Sequence, residues 1–319
     1  CVNRILERIG VRDVYMVGEQ AYPDGNFPTC PYPNPEIREA LERGIALCEQ
    51  VKPDLLLATD PDADRVGIAV KDGDDYQLLT GNETGALLFD YICRMRSQLG
   101  KMPARPLAVT TIVSTSIVDA IAADHGVELK RVLTGFKYIG GIQRELEEAG
   151  ELDRFIFGFE ESYGYLAGCH ARDKDAIVAS MLICQMARAY RSEGMNLYQA
   201  MQALYQKYGY HHNRTLAFTF EGASGAARMA EIMDSLRADG LDSVAGKAVL
   251  ETLDYQPGLG ALPPANVIEF DLEDSCKVIV RPSGTEPKIK VYLFTTGASM
   301  EDARGVGDEL AEALNVLFQ

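Results

Sequence analysis

Asp54-Leu55-Leu56-Leu57-Ala58-Thr59-Asp60-Pro61-Asp62-Ala63-Asp64-Arg65-Val66-Gly67-Ile68-Ala69-Val70 sets an α/β pattern around an acidic centre. Two apolar runs, 54–58 and 65–70, flank a short acidic loop, and runs of that length bounded by turn residues read as buried strands. The loop sets carboxylates at alternate positions 60, 62 and 64, just past a strand end. Three like charges so close repel by roughly a few kcal/mol unless a cation sits among them. Hard oxygen donors on a short loop suit Mg²⁺, which keeps positions free for water or a phosphate oxygen. The expected setting is the C-terminal edge of a parallel strand, where α/β folds build such sites. An EF-hand is excluded, because the loop has no glycine at its sixth position and no distal bidentate glutamate. A solvated acidic turn is the plainer alternative.

Working outward, residues 3–10 read as helix, 13–17 as extended, 20–35 as an ordered proline-rich loop and 35–50 as an amphipathic helix. From about residue 76, helices over 83–99, 116–125, 139–149 and 175–192 alternate with strands over 107–112, 129–133 and 155–157. That order implies a mostly parallel sheet covered on both faces. Beyond about 210 the pattern changes to strand 215–220, helix 223–238, strands 267–270, 277–281 and 288–294, and helix 299–314, which suggests an antiparallel α+β domain. The expected fold class is α/β, with mixed or parallel-sheet α/β domains followed by an α+β C-terminal domain with an antiparallel sheet. The expected divisions are 1–76, 77–208 and 209–319.

A formal charge of -16 over 319 residues argues against nucleic acid or an anionic membrane as partner, so a phosphorylated ligand needs a local basic cluster. No apolar run reaches the ~20 residues of a membrane span. Seven cysteines without a C-x-x-C fit reduced thiols and a cytoplasmic protein. The chain opens on Cys1 inside a helix already under way, which leads us to expect a natural start upstream. The closing Val316-Leu317-Phe318-Gln319 fits a tag scar or a native helix end equally.

Three other clusters could carry chemistry. Arg281-Pro282-Ser283-Gly284-Thr285-Glu286-Pro287 joins two expected strands and offers a guanidinium fork, hydroxyls and approachable backbone N–H groups for a phosphate. An ordinary tight turn looks the same. Gly158-Phe159-Glu160-Glu161-Ser162-Tyr163-Gly164-Tyr165 places carboxylates beside a hydroxyl, able to accept from a sugar diol, with one of the two glutamates expected to point inward. His170, Arg172 and Lys174 then form a basic cluster ahead of a helix, where solvated caps are common. Thr134-Gly135-Phe136-Lys137 is a strand-end turn whose lysine residue statistics put on the surface.

In this order, D-P-D-A-D-R at 60–65, T-G-F-K at 134–137, G-F-E-E-S-Y-G-Y at 158–165 and R-P-S-G-T-E-P at 281–287 resemble the α-D-phosphohexomutase superfamily, in its phosphoglucomutase/phosphomannomutase branch. Phe27-Pro28-Thr29 and Pro33-Asn34-Pro35 match that branch as well, so the resemblance extends through nearly the whole chain.

The resemblance implies a four-domain enzyme that interconverts hexose 1-phosphate and hexose 6-phosphate through a phosphoserine and a 1,6-bisphosphate. Glucose 1,6-bisphosphate would be activator and intermediate. The serine lies in a T-A-S-H-N-P-like loop that this sequence lacks, Ser114 and Thr115-Ser116 being similar in residue type only. The chain is then expected to be domains two to four, inactive without the N-terminal phosphoserine domain. On the same resemblance Asp60, Asp62 and Asp64 would hold Mg²⁺ and Arg65 would contact the transferring phosphoryl. Glu160, Ser162 and Gly135 would bind the sugar, while Arg281, Ser283, Gly284 and Thr285 would hold the distal phosphate. Lys174, then Lys137, are the candidate proton shuttles, with His170 beside them. Rival readings are a pentose phosphomutase of the same superfamily, a regulatory module that binds sugar phosphate without turnover, and a haloacid-dehalogenase-type phosphatase. The last prefers Thr or Val where Asp64 stands.

Overall fold

The computed structural model of the chain describes residues 1–318 except Thr285, and Ala223 in its backbone only. It divides into two compact units, residues 1–114 with 118–207 and residues 115–117 with 208–319.

In the first unit α1 (Val2–Arg8) and α2 (Arg38–Val51) precede a hairpin of β1 (Leu55–Thr59) and β2 (Val66–Asp72), extended by β3 (Asp75–Leu79). All three strands are antiparallel, with Leu55 opposite Val70 and Thr59 opposite Val66. The acidic loop therefore joins antiparallel strands and does not cap a parallel one. The reason is length: a parallel return needs a crossover of about a dozen residues or more, and 60–65 is too short. Leu41 and Cys48 of α2 cover this sheet by packing on Leu56 and Ala69. Residues 13–17 form no strand, and Val14, Tyr15 and Met16 are exposed, so the apolar alternation there has no face to bury.

Next come α3 (Gly81–Gln98), β4 (Leu107–Thr111), α4 (Ile117–His125), β5 (Glu128–Val132), α5 (Phe136–Glu148), β6 (Phe155–Glu160), β7 (Gly164–Leu166), α6 (Ala176–Ser192) and α7 (Leu197–Tyr208). The sheet order is β5-β4-β6-β7, parallel except for β7, which folds back on β6. Every residue of β4 and β6 is buried, as strands covered on both faces must be. Leu107, Val109 and Phe155 pack against Phe136, Ile139 and Leu146 of α5. α3 starts with a capping box, Thr80 and Glu83 each accepting from the other's backbone N–H.

The second unit contains β8 (Tyr210–Thr219), α8 (Gly222–Ala238), β9 (Ser243–Val244), β10 (Lys247–Asp254), β11 (Ile268–Leu272), β12 (Lys277–Pro282), β13 (Lys288–Gly297) and α9 (Met300–Phe318). Its antiparallel sheet runs β8-β13-β12-β11-β10-β9. Phe270, Val278, Val280, Val291 and Leu293 supply one buried face, closed by Met233 of α8 and by Leu310 and Leu314 of α9.

Candidate functional site

The acidic loop is shaped by its own backbone before any side chain is considered. The Asp60 N–H donates to the Arg65 carbonyl at 3.3 Å and the Ala63 N–H to the Asp60 carbonyl at 3.1 Å, with Ala63 left-handed at φ 57. Asp60 Oδ1 accepts the N–H groups of Asp64 at 3.1 Å and Arg65 at 3.0 Å. One carboxylate oxygen each from Asp60, Asp62 and Asp64 then lie within 4.8 Å of one another.

Burial pushes the Asp60 carboxyl up to about 6; the hydrogen bond from the Arg65 backbone opposes this, and Asp64 and Asp62 add to it. Oδ1 of Asp64 is shut off from water and has no hydrogen-bond partner among the described residues. A buried oxygen with no hydrogen bond, 3.7 Å from Arg65 Nε and amid crowded carboxylates, is an arrangement a divalent cation satisfies, so the residues present fit a hard metal ion.

The loop is also fastened to the turn after β6. Arg65 bridges Gly164, the Val66 N–H donates to the Tyr163 carbonyl at 3.1 Å, and the Ala176 N–H donates to the Ala63 carbonyl at 3.1 Å. Residues a hundred positions apart in sequence thus share one backbone frame. Lys174 projects into it, with Nζ 2.8 Å from Asp64 Oδ2 and 3.1 Å from Asp173 Oδ1. Burial pulls the Lys174 ammonium down, but hydrogen bonds to Asp64 and Asp173 outweigh it and leave the group above the ordinary lysine value. Arg65 reaches Glu36 Oε1 at 3.2 Å, with its Nε 3.7 Å from Asp64 and 3.8 Å from Asp60.

Glu160, the last residue of β6, and Glu161, just past it, both reach inward to buried partners, against the expectation of one. Glu160 Oε1 accepts the Gly135 N–H at 2.7 Å, and Glu161 Oε2 accepts the Thr111 hydroxyl at 3.2 Å. The turn that follows, with Tyr163 left-handed at φ 66, breaks the strict alternation of a strand. Burial raises Glu160 above the usual carboxylate range, opposed by the Gly135 N–H and the charges of Lys174 and Arg65. Burial and then the charge of Glu160 push Glu161 up to about 7. Gly135 has φ 119, which a side chain rarely tolerates, and this conformation starts α5 with its N–H aimed at Glu160. Ser162 is half-buried in the same turn.

His170 lies aside, its Nε2 2.8 Å from Asp175 Oδ2, while Asp175 Oδ1 caps α6 through the Ile177 and Val178 N–H groups. Lys137 is exposed, with Nζ 4.9 Å from the Tyr138 ring centroid.

In the second unit Arg281 is the penultimate residue of β12, and the loop beyond Pro282 returns to β13. The Ser283 N–H donates to the Lys288 carbonyl at 2.8 Å, and its hydroxyl accepts the Glu286 N–H at 3.3 Å. Gly284 is exposed, with open space where a Cβ would stand. Thr285 lies outside the described residues. Glu36, Asp173 and the Thr111–Glu161 pair were not singled out in the sequence. Glu36 directly follows the matched Pro-Asn-Pro, and Asp173 adjoins Lys174, which were the signals on offer.

The phosphoglucomutase/phosphomannomutase family matches in three successive parts: alpha/beta/alpha domain II over residues 1–73, alpha/beta/alpha domain III over 80–208 and the C-terminal domain over 221–313. Phosphoglucomutases of Staphylococcus epidermidis and Staphylococcus saprophyticus are 35% and 36% identical, each over 92% of this chain and 54% of that protein. The chain therefore spans about half the length of the curated relatives it matches. In fold it is similar to the open form of the exocytosis-sensitive phosphoprotein pp63/parafusin, a phosphoglucomutase from Paramecium, with a TM-score of 0.65 at 19% identity over 89% of this chain and 50% of that one. It is likewise similar to a family protein from Burkholderia thailandensis, with a TM-score of 0.61 at 17% identity over 92% and 53%.

Proposed function

Because the chain belongs to the phosphoglucomutase/phosphomannomutase family, we propose that its protein interconverts hexose 1-phosphate and hexose 6-phosphate by phosphoryl transfer through a 1,6-bisphosphate. One observation carries this reading: the crowded carboxylates of Asp60, Asp62 and Asp64 share a backbone frame with the Glu160–Ser162 turn and Lys174.

In this reading the three aspartates would hold Mg²⁺, which would supply charge stabilisation to a transferring phosphoryl group. Arg65, at the rim of the same loop, binds phosphoryl oxygens. Glu160 and Ser162 hold sugar hydroxyls and fix which one faces the phosphorus. Glu160 is kept in place by the Gly135 N–H. Lys174 moves the proton of the attacking hydroxyl, with Lys137 as the more exposed alternative. Arg281, Ser283, Gly284 and Thr285 grip the phosphate that is not reacting. Two separate phosphate sites are what a bisphosphate needs if it is to turn around and return its other phosphate, since positioning supplies most of such catalysis.

The sequence contains no T-A-S-H-N-P-like stretch. The expected outcome for these 319 residues is accordingly binding without turnover. Calorimetric titration with Mg²⁺ and then with glucose 1,6-bisphosphate should show both bind, and Asp62→Asn should weaken Mg²⁺ at least tenfold, as loss of one ligand charge from a hard-metal site does. A chain that binds neither would remove the proposal.

A further inference from the structure

Within the trio, Asp64 is already engaged by a cation of the protein's own. Lys174 Nζ stands 2.8 Å from its Oδ2, and the Lys174 side chain is only 13% exposed. Its stem crosses Gly164, where a Cβ would come within 2.3 Å of the Lys174 Cδ. Its ammonium is 5.5 Å from the Phe136 ring centroid. The backbone beyond it is tied down as well, the Asp175 N–H to the Tyr165 carbonyl at 2.9 Å and the Ala176 N–H to the Ala63 carbonyl at 3.1 Å. Lys174 is therefore aimed at Asp64 by packing and by main chain, not by chance of rotamer. It also has a second seat: Asp173 Oδ1 lies 3.1 Å from the same ammonium, on a side chain that is 71% exposed.

We propose that Lys174 is the counter-ion held on Asp64 Oδ2, beside the Arg65 guanidinium that stands 3.7 Å from Oδ1, and that a divalent cation must expel the lysine from Asp64, leaving it on Asp173. The inference rests on the reading of residues 60–64 as a metal site and adds an exchange to it. The ammonium holds Oδ2 of Asp64 and a divalent ion on Oδ1 would face it across one carboxylate, so the two cations repel and draw on a single negative charge. Metal affinity is then set by a competition inside the protein. Metal loading also decides how the lysine is shared: between Asp64 and Asp173 when the site is free of metal, on the solvent-facing Asp173 alone when it is filled.

The test is Mg²⁺ titration by calorimetry, at fixed pH and ionic strength, of the unaltered chain and of two variants whose folding is checked by circular dichroism. Lys174→Met should bind Mg²⁺ about five- to tenfold more tightly, the range of a partly shielded ion pair removed as competitor. Asp173→Asn should bind it about two- to fivefold more weakly, since the displaced ammonium loses its second seat. Equal or weaker binding by Lys174→Met would mean that the lysine only props Asp64 in place, and the exchange falls. Should Lys174→Met fail to fold, an unchanged affinity in Asp173→Asn alone defeats it. Absence of Mg²⁺ binding in all three proteins would instead remove the metal reading, and the exchange with it.

Discussion

At the scale of single residues, what was legible depended on how close the partners lie along the chain. Asp60, Asp62 and Asp64 sit at alternate positions of one loop, so their crowding could be read directly. The contacts that tune them could not: Arg65 meets Glu36 across 29 positions, and Thr111 meets Glu161 across 50. Glu161 shows the cost of such burial. Its carboxyl sits at about 7 in the fold, against about 4.3 in an unfolded chain. The folded state thus binds the proton more tightly, and the benefit, complete below about 4.3, is lost as pH rises through about 7. Glu161→Gln cannot ionise while still accepting from Thr111. It should be more stable than the parent by about 1–3 kcal/mol at pH 8, and by a clearly smaller margin at pH 5. Urea denaturation at the two pH values measures this, and equal differences at both would show that the Glu161 carboxyl is not the source.

Elements were legible where the hydrophobic period is long and lost where the strand is short or the face mixed. Both β4 and β6 are wholly buried and declared themselves as apolar runs. The three residues of β7 are too few to show a period. β10, with exposed Leu250 and Glu251 beside half-buried neighbours, resembles a loop in composition. α7 is different: Leu197, Ala200, Met201, Leu204 and Tyr205 recur at helical spacing and are all buried, so the sequence does carry its signal. In α9 the same spacing puts Leu310, fully buried, against the second unit's sheet. Leu310→Ala should cost roughly 2–5 kcal/mol, the transfer loss plus the cavity left behind. Thermal unfolding followed by circular dichroism reads this as a lowered midpoint, and an unshifted one would place α9 outside the cooperative core.

For the molecule as a whole, fold class could be anticipated from the order of elements, an alternating α/β part and then strands gathered between helices. The error about the acidic loop arose at this scale too, because an apolar run does not say whether its neighbour is parallel; only the brevity of residues 60–65 does. The whole unit also sets how the metal site answers to pH. Asp60 holds its proton up to about 6, and a protonated carboxyl is a poor ligand for Mg²⁺. Mg²⁺ affinity of the chain should therefore be level from pH 8 to 7 and fall several-fold by pH 5.5. Calorimetry across that range checks it, and a flat profile would count against Asp60 as a ligand. The backbone bonds from Val66 to Tyr163 and from Ala176 to Ala63 carry a last consequence. Hairpin and turn are stitched into a single piece, so a graft of the D-P-D-A-D-R loop between relatives has to travel with its matching E-E-S-Y-G turn. Descent can lengthen the intervening chain freely, but it must inherit the two ends as a pair.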